Sequence, residues 1–275
     1  MVKSVLNILL AVVVLTLVSC SSRPKEMNKK AQLYFNAGTS SLINKEYTEA
    51  LTNLLKANEL EKNNPDVLNN LGMAYYFKGD LNLALKCLKN SLELNPKNSD
   101  AKHNIASILF EQGQIGDAER LYKEVLTDLT YEKQARTYYN LGILELEKKH
   151  DPVEAERYFR SSLKESEDYC PSHYKLGSIY YARHEYNKAY RSFREATMGT
   201  CFNSPAAHYQ QALSLIELRK YSDARVKLDE IQNRFAKTTY AVKARSKMLD
   251  VDELEKQYRS LEAKSPRKVM QSPEF

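Results

Sequence analysis

Pro65–Pro96 reads PDVLNNLGMAYYFKGDLNLALKCLKNSLELNP. Leu68, Leu71, Ala74 and Tyr75 recur at three- and four-residue spacing, and Leu81, Ala84, Leu85, Leu88 and Leu92 repeat the pattern. That period puts each set on one helix face. Gly79-Asp80 interrupts the first run and Asn95-Pro96 closes the second, so the stretch predicts a helix, a tight turn and another helix. Gly72 and Ala84 are small enough to let the two helices approach closely.

The spacing propagates along the chain. The Gly72 position recurs as Gly38, Gly72, Ala106, Gly142, Gly177 and Ala212, in steps of 34, 34, 36, 35 and 35 residues. The Ala84 position recurs as Ala50, Ala118, Ala155, Ala189 and Ala224, and the large residue after it as Leu54, Leu88, Tyr122, Phe159, Phe193 and Leu228. One hairpin cannot bury its apolar face, whereas stacked hairpins share a core. The pattern resembles the tetratricopeptide repeat through Leu68, Leu71-Gly72, Tyr75, Ala84, Leu88, Ser91 and Pro96, with Ser91 where that repeat usually has Ala. The resemblance implies an all-α, right-handed superhelical solenoid of six hairpins over residues 31–235. Residues 236–263 read as a capping helix, with Tyr240, Ala244, Met248, Val251 and Leu254 on one stripe. Residues 264–275 carry Pro266, Pro273 and scattered charge and read as a disordered tail.

Residues 1–19 stand apart. Lys3 precedes the uncharged apolar run Ile8–Val18, which is short for a membrane span and has the layout of a signal peptide. Leu17-Val18-Ser19-Cys20 resembles a bacterial lipobox, which implies cleavage before Cys20 and acylation of its thiol and new amino terminus. Several acyl chains anchor far more firmly than one. Ser21 rather than Asp after the cysteine points to the periplasmic face of the outer membrane, with residues 20–30 as a tether.

Composition narrows the function. Of eight glycines, six occupy the repeat's two glycine positions, which leaves none for a phosphate-cradling loop. The net charge of +6 is spread along the chain, so no nucleic-acid partner is expected. His103, His173 and His208 fall on first helices, and His150 and His184 at turns. None has a ligand partner at metal-site spacing, and no nucleophile motif is present. No metal, cofactor or catalysis is expected.

Cys87 sits among Leu83, Ala84 and Leu88 as a small core residue. Cys170 precedes the first helix of the fifth hairpin and Cys201 follows its second helix. Antiparallel packing brings those ends together, so the pair reads as a disulfide suited to an oxidising compartment, the alternative being two unrelated thiols. The inner groove of such a stack is lined by first helices. One ladder includes Phe35, Asn69, His103, Tyr139, Tyr174 and Tyr209, and another includes Tyr76, Phe110 and Tyr181. These form the candidate partner-binding groove, since aromatic rings give large contact area at low entropy cost. The second ladder has an alternative role in packing adjacent first helices together.

Over nearly all of Cys20–Leu249 the chain is similar to the pilotins of type IV pilus assembly, the PilF, PilW and Tgl family. The distinguishing stretch is Asp128-Leu129-Thr130-Tyr131, then Arg136 and Asn140-Leu141-Gly142, with Glu132 where the family often has Pro. This resemblance implies a monomeric outer-membrane lipoprotein that binds a secretin subunit and promotes its localisation and multimer assembly. The alternative is a scaffold or adaptor lipoprotein for peptidoglycan hydrolases or for outer-membrane β-barrel assembly.

Overall fold

The computed structural model describes residues 28–264. The expected signal peptide 1–19, the expected lipidation site Cys20, most of the expected tether and the residues beyond 264 lie outside the described residues. Residues 28–30, read as tether, are already helical. Among the described residues there is no strand, and none of the helices is long and apolar enough to cross a membrane. The described residues divide into two compact units, with the boundary between Tyr131 and Glu132.

The first unit holds α1 (28–43), α2 (Tyr47–Leu60), α3 (Pro65–Phe77), α4 (Leu81–Leu94), α5 (Ser99–Glu111) and α6 (Ile115–Val125). The second holds α7 (Gln134–Glu147), α8 (Pro152–Glu165), α9 (Cys170–Ala182), α10 (Tyr186–Glu195), α11 (Pro205–Glu217), α12 (Tyr221–Arg234) and α13 (Thr239–Lys264), with a 3₁₀ turn at Gly199–Cys201. Consecutive helices pair as antiparallel hairpins, and within each unit the hairpins stack in tetratricopeptide fashion.

Local chemistry sets the helix starts. Side chains of Asn64, Asp80, Asn98, Asp151 and Ser204 accept hydrogen bonds from backbone N–H groups of α3, α4, α5, α8 and α11. Pro65, Pro152 and Pro205 occupy first helical positions, where a missing N–H costs nothing. The hairpin turns share a closure in which the residue after the turn donates to a carbonyl five back, as in Asp80→Tyr75 at 3.0 Å and Lys220→Leu215 at 2.9 Å. This geometry needs a left-handed residue, supplied by Gly79 (φ 86°) and Gly113 (φ 77°). Lys45, His184 and Arg219 take the same conformation at the equivalent place, and His150 takes it in the turn lengthened by one residue.

The small positions bear directly on packing. A Cβ at Gly72 would lie 2.8 Å from Leu88 Cγ and 3.0 Å from the Ala84 carbonyl oxygen. At Gly142 and Gly177 it would meet the rings of Phe159 and Phe193 at 2.6 and 2.7 Å. Leu54, Leu88, Tyr122, Phe159, Phe193 and Leu228 are accordingly sealed between their helices, and each such burial stabilises by about 1.5–3 kcal/mol. Ser91 departs from the repeat's Ala and is fully buried, yet its hydroxyl donates to the Pro65 carbonyl at 2.7 Å and accepts from Asn98 Nδ2 at 3.1 Å. The serine therefore ties α4 to both flanking first helices.

The loop after α6 is built rather than slack. Ser99 Oγ donates to Asp128 Oδ2 at 2.7 Å, and Thr130 donates to Asp128 Oδ1 through its amide and its hydroxyl. Tyr131 Oη donates to Asp100 Oδ1 at 2.8 Å. These donors hold the Asp128 carboxyl below the usual carboxylate range. The Asp-Leu-Thr-Tyr segment thus clamps the loop to the start of α5.

Candidate partner-binding cleft

The residues of the two aromatic ladders have different fates. Phe35 is half-buried in the first hairpin's core. Asn69 is buried and accepts a hydrogen bond from Asn104 Nδ2 at 2.9 Å. His103, expected in the groove, is 2% exposed and packs edge-on to Tyr122 at 5.3 Å, so it is a core residue. The bulky Tyr122 on the partner helix draws that position inward. Tyr139 leans on Phe159 and Tyr169, each 5.7 Å away, and Tyr174 stands edge-on to Phe193 at 5.6 Å. Tyr139 thereby reaches from its own hairpin to the start of α9, and Tyr174 also interacts with Gln210 on α11.

The second ladder ties neighbouring first helices together. Tyr76 Oη donates to Glu111 Oε1 at 2.5 Å, and Tyr181 Oη donates to Glu217 Oε1 at 3.2 Å, each spanning one repeat. Phe110 is half-buried on α5. Burial, together with the neighbouring carboxylate, pushes Tyr76 and Tyr181 up to about 12. Tyr139 and Tyr180 rise to about 12 as well, chiefly through burial.

These four phenols are expected to remain protonated after exposed tyrosines have titrated. Because the folded pKa lies above the unfolded value of 10.0, their contribution to stability is complete below pH 10 and is lost as pH rises through about 12. Absorbance at 295 nm should show a late phase near pH 12 that coincides with loss of helical ellipticity. One transition near pH 10, with the helices intact, would contradict this.

Tyr181 and Tyr209 meet in a cleft of the second unit, of about 590 Å³. Tyr181, Tyr209, Leu213 and Ile216 form a floor on α9 and α11, and Lys247, Asp250, Glu253, Leu254 and Gln257 form a wall on α13. Tyr209 is held by Tyr240 at 5.8 Å. Lys247 Nζ lies 2.7 Å from Asp250 Oδ2, and that carboxylate raises the ammonium's pKa. The sequence stripe read as a cap does cover α12, with Ala244 and Val251 buried beside Leu228 and Ile231. Its role as a wall was missed, although Asp250, Glu253, Leu254 and Gln257 at helical spacing carry the signal.

Opposite chemistry marks the open end of α9 and α10. Cys170, the first residue of α9, and Cys201, the last of the 3₁₀ turn, are disulfide-bonded with Cα atoms 6.0 Å apart. Cys87 is a free thiol, pushed up by burial. Arg234 lies over the Phe202 ring at 3.6 Å and donates to the Phe202 carbonyl at 2.7 Å, while His208 Nε2 contacts the same carbonyl at 3.0 Å. Burial lowers the His208 pKa, and its ring packs against Phe235 at 5.3 Å. The described residues hold no group of three or more His, Cys, Asp or Glu side chains placed to bind a metal.

Comparison with known proteins places these features. Tetratricopeptide-repeat family models match residues 65–98 and 99–129, and a TPR-repeat model matches 43–78. Human protein O-mannosyl-transferase TMTC3 is 32% identical over 151 residues, covering 54% of this chain and 16% of that protein. The type IV pilus assembly protein PilF of Pseudomonas aeruginosa is 24% identical over 162 residues, covering 59% of this chain and 64% of PilF. The chain thus spans less than two thirds of the length of either relative. The solved structure of P. aeruginosa PilF superposes with a TM-score of 0.67 at 17% identity, covering 81% of this chain and 99% of PilF. PilW, described as a widely conserved type IV pilus biogenesis factor, gives 0.64 at 14% identity, with 78% and 97% covered. Tetratricopeptide-repeat models thus match residues 43–129, and the chain is similar in sequence to PilF and in fold to both PilF and PilW.

Proposed function

We propose that this chain is an outer-membrane lipoprotein acting as a pilotin, anchored through acyl groups on Cys20 and binding secretin subunits as they assemble. The similarity to PilF carries the reading, since it extends through sequence and fold together. The Leu17–Cys20 lipobox supports the anchor, and the clamped Asp128–Tyr131 loop agrees with the stretch that distinguishes the family. The activity proposed is binding: the cleft offers aromatic, aliphatic and carboxylate groups to a polypeptide partner.

Deleting the gene is expected to reduce heat-resistant secretin multimers and surface pili, with both restored by the wild-type chain. Cys20→Ala should remove the protein from the outer-membrane fraction, abolish uptake of labelled fatty acid and fail to restore multimers. Unchanged secretin assembly in the deletion strain would refute the pilotin role. A Cys20→Ala protein still found with the outer membrane would refute the anchor.

A further inference from the structure

The cleft between α9, α11 and α13 has a charge pattern that the pilotin reading alone does not supply. Three carboxylates line it (Glu217, Asp250 and Glu253) against one ammonium, Lys247. Lys247 is engaged by Asp250 at 2.7 Å. Lys247 also attracts Glu217, but its one ammonium set against Glu217, Asp250 and Glu253 leaves the lining with an excess of two negative charges. Glu217 already accepts the Tyr181 hydroxyl at 3.2 Å, which fixes its position without neutralising it. Around these charges the surface is apolar: Tyr181, Tyr209, Leu213, Ile216 and Leu254.

We propose that this cleft binds an extended polypeptide segment of a partner in which a Lys or Arg is flanked by aliphatic residues. The proposal rests on the reading of the chain as a partner-binding protein and names the chemistry of the segment bound. The aliphatic side chains lie on Tyr209, Leu213 and Ile216, and the cation sits between Glu217 and Glu253. Acidic segments are rejected, because a carboxylate there meets like charges. Complementary charge of this kind sets partner choice and the rate of encounter, and it weakens as salt rises.

The test uses the purified chain and two fluorescein-labelled peptides of the same aliphatic sequence, one with two arginines and the other with two glutamates. Fluorescence anisotropy is expected to show the arginine peptide binding about tenfold more tightly than its acidic counterpart at low salt. That difference should shrink as salt rises. Glu217→Gln combined with Glu253→Gln should remove most of the preference, and Leu254→Asn should weaken the arginine peptide while leaving the preference in place. Circular dichroism identifies any variant that has not folded. Leu254 is already 38% exposed, so its substitution leaves the core intact.

Equal binding of the two peptides, or a preference that survives the double substitution, overturns the proposal. Sedimentation of the unliganded protein covers the other occupant: a dimer dissolved by Leu254→Asn means that a second copy fills the cleft, and it overturns the proposal too. Because peptide binding is read on purified protein, its failure is distinguishable from a failure of secretin assembly in the deletion strain.

Discussion

Gly177→Val is expected to lower the unfolding free energy by about 3 kcal/mol, at the upper end of what overpacking a core costs. The first added carbon would sit 2.7 Å from two atoms of the Phe193 ring. That ring cannot yield, because it is fully buried and has Tyr174 edge-on at 5.6 Å. α9 and α10 must therefore separate, and the loss passes to the helices stacked on them. Gly116→Ala in α6 is the matched control: nothing lies within 4 Å of its Cβ position, so stability should rise by about 0.5 kcal/mol. Urea unfolding followed by circular dichroism checks both. If the two substitutions shift the midpoint in the same direction, close approach of the helices is not what fixes Gly177.

Removing the Cys170–Cys201 bond should have a comparable effect. The two residues are 31 apart in sequence. Closing a loop of that length restricts the unfolded chain by about 3.5 kcal/mol in the chain-entropy account. Cys170→Ser with Cys201→Ser should lower the unfolding free energy by about that amount, and reductant should bring the wild-type chain to the same midpoint. Reductant should leave the double variant unchanged. A wild-type midpoint insensitive to reductant would show that the cross-link contributes nothing.

The hairpin register was legible because it depends on volume alone. Gly72 faces Leu88 and Gly142 faces Phe159 wherever two helices must touch, so the small and large positions recur visibly. The turns were half legible. Gly79 and Gly113 announce themselves, whereas Lys45, His184 and Arg219 adopt the same left-handed conformation and are found only by counting residues.

Groove residues were the hardest to read. The position three before each small residue sits at the edge of the buried stripe, and its side chain turns toward the partner helix or toward the groove according to what stands opposite. His103 follows Tyr122, whose hydroxyl donates to Ser107 at 3.0 Å, into the core. Tyr209, with α13 beside it, lines a cleft. Spacing within one helix does not encode that choice. The same holds for Ser91, whose burial depends on a carbonyl 26 residues upstream.

The cross-link also changes how the second unit comes apart. A stack held only by nearest neighbours opens from its ends, and α13 is the outermost helix packed on α11 and α12. With its open ends joined, α9 and α10 form a closed ring. A wave of opening that starts at α13 must stop at residue 201 or break the whole ring in one step. The bond acts as a pawl: it confines the frequent, shallow openings to residues 202–264, which re-form against a hairpin that never parted.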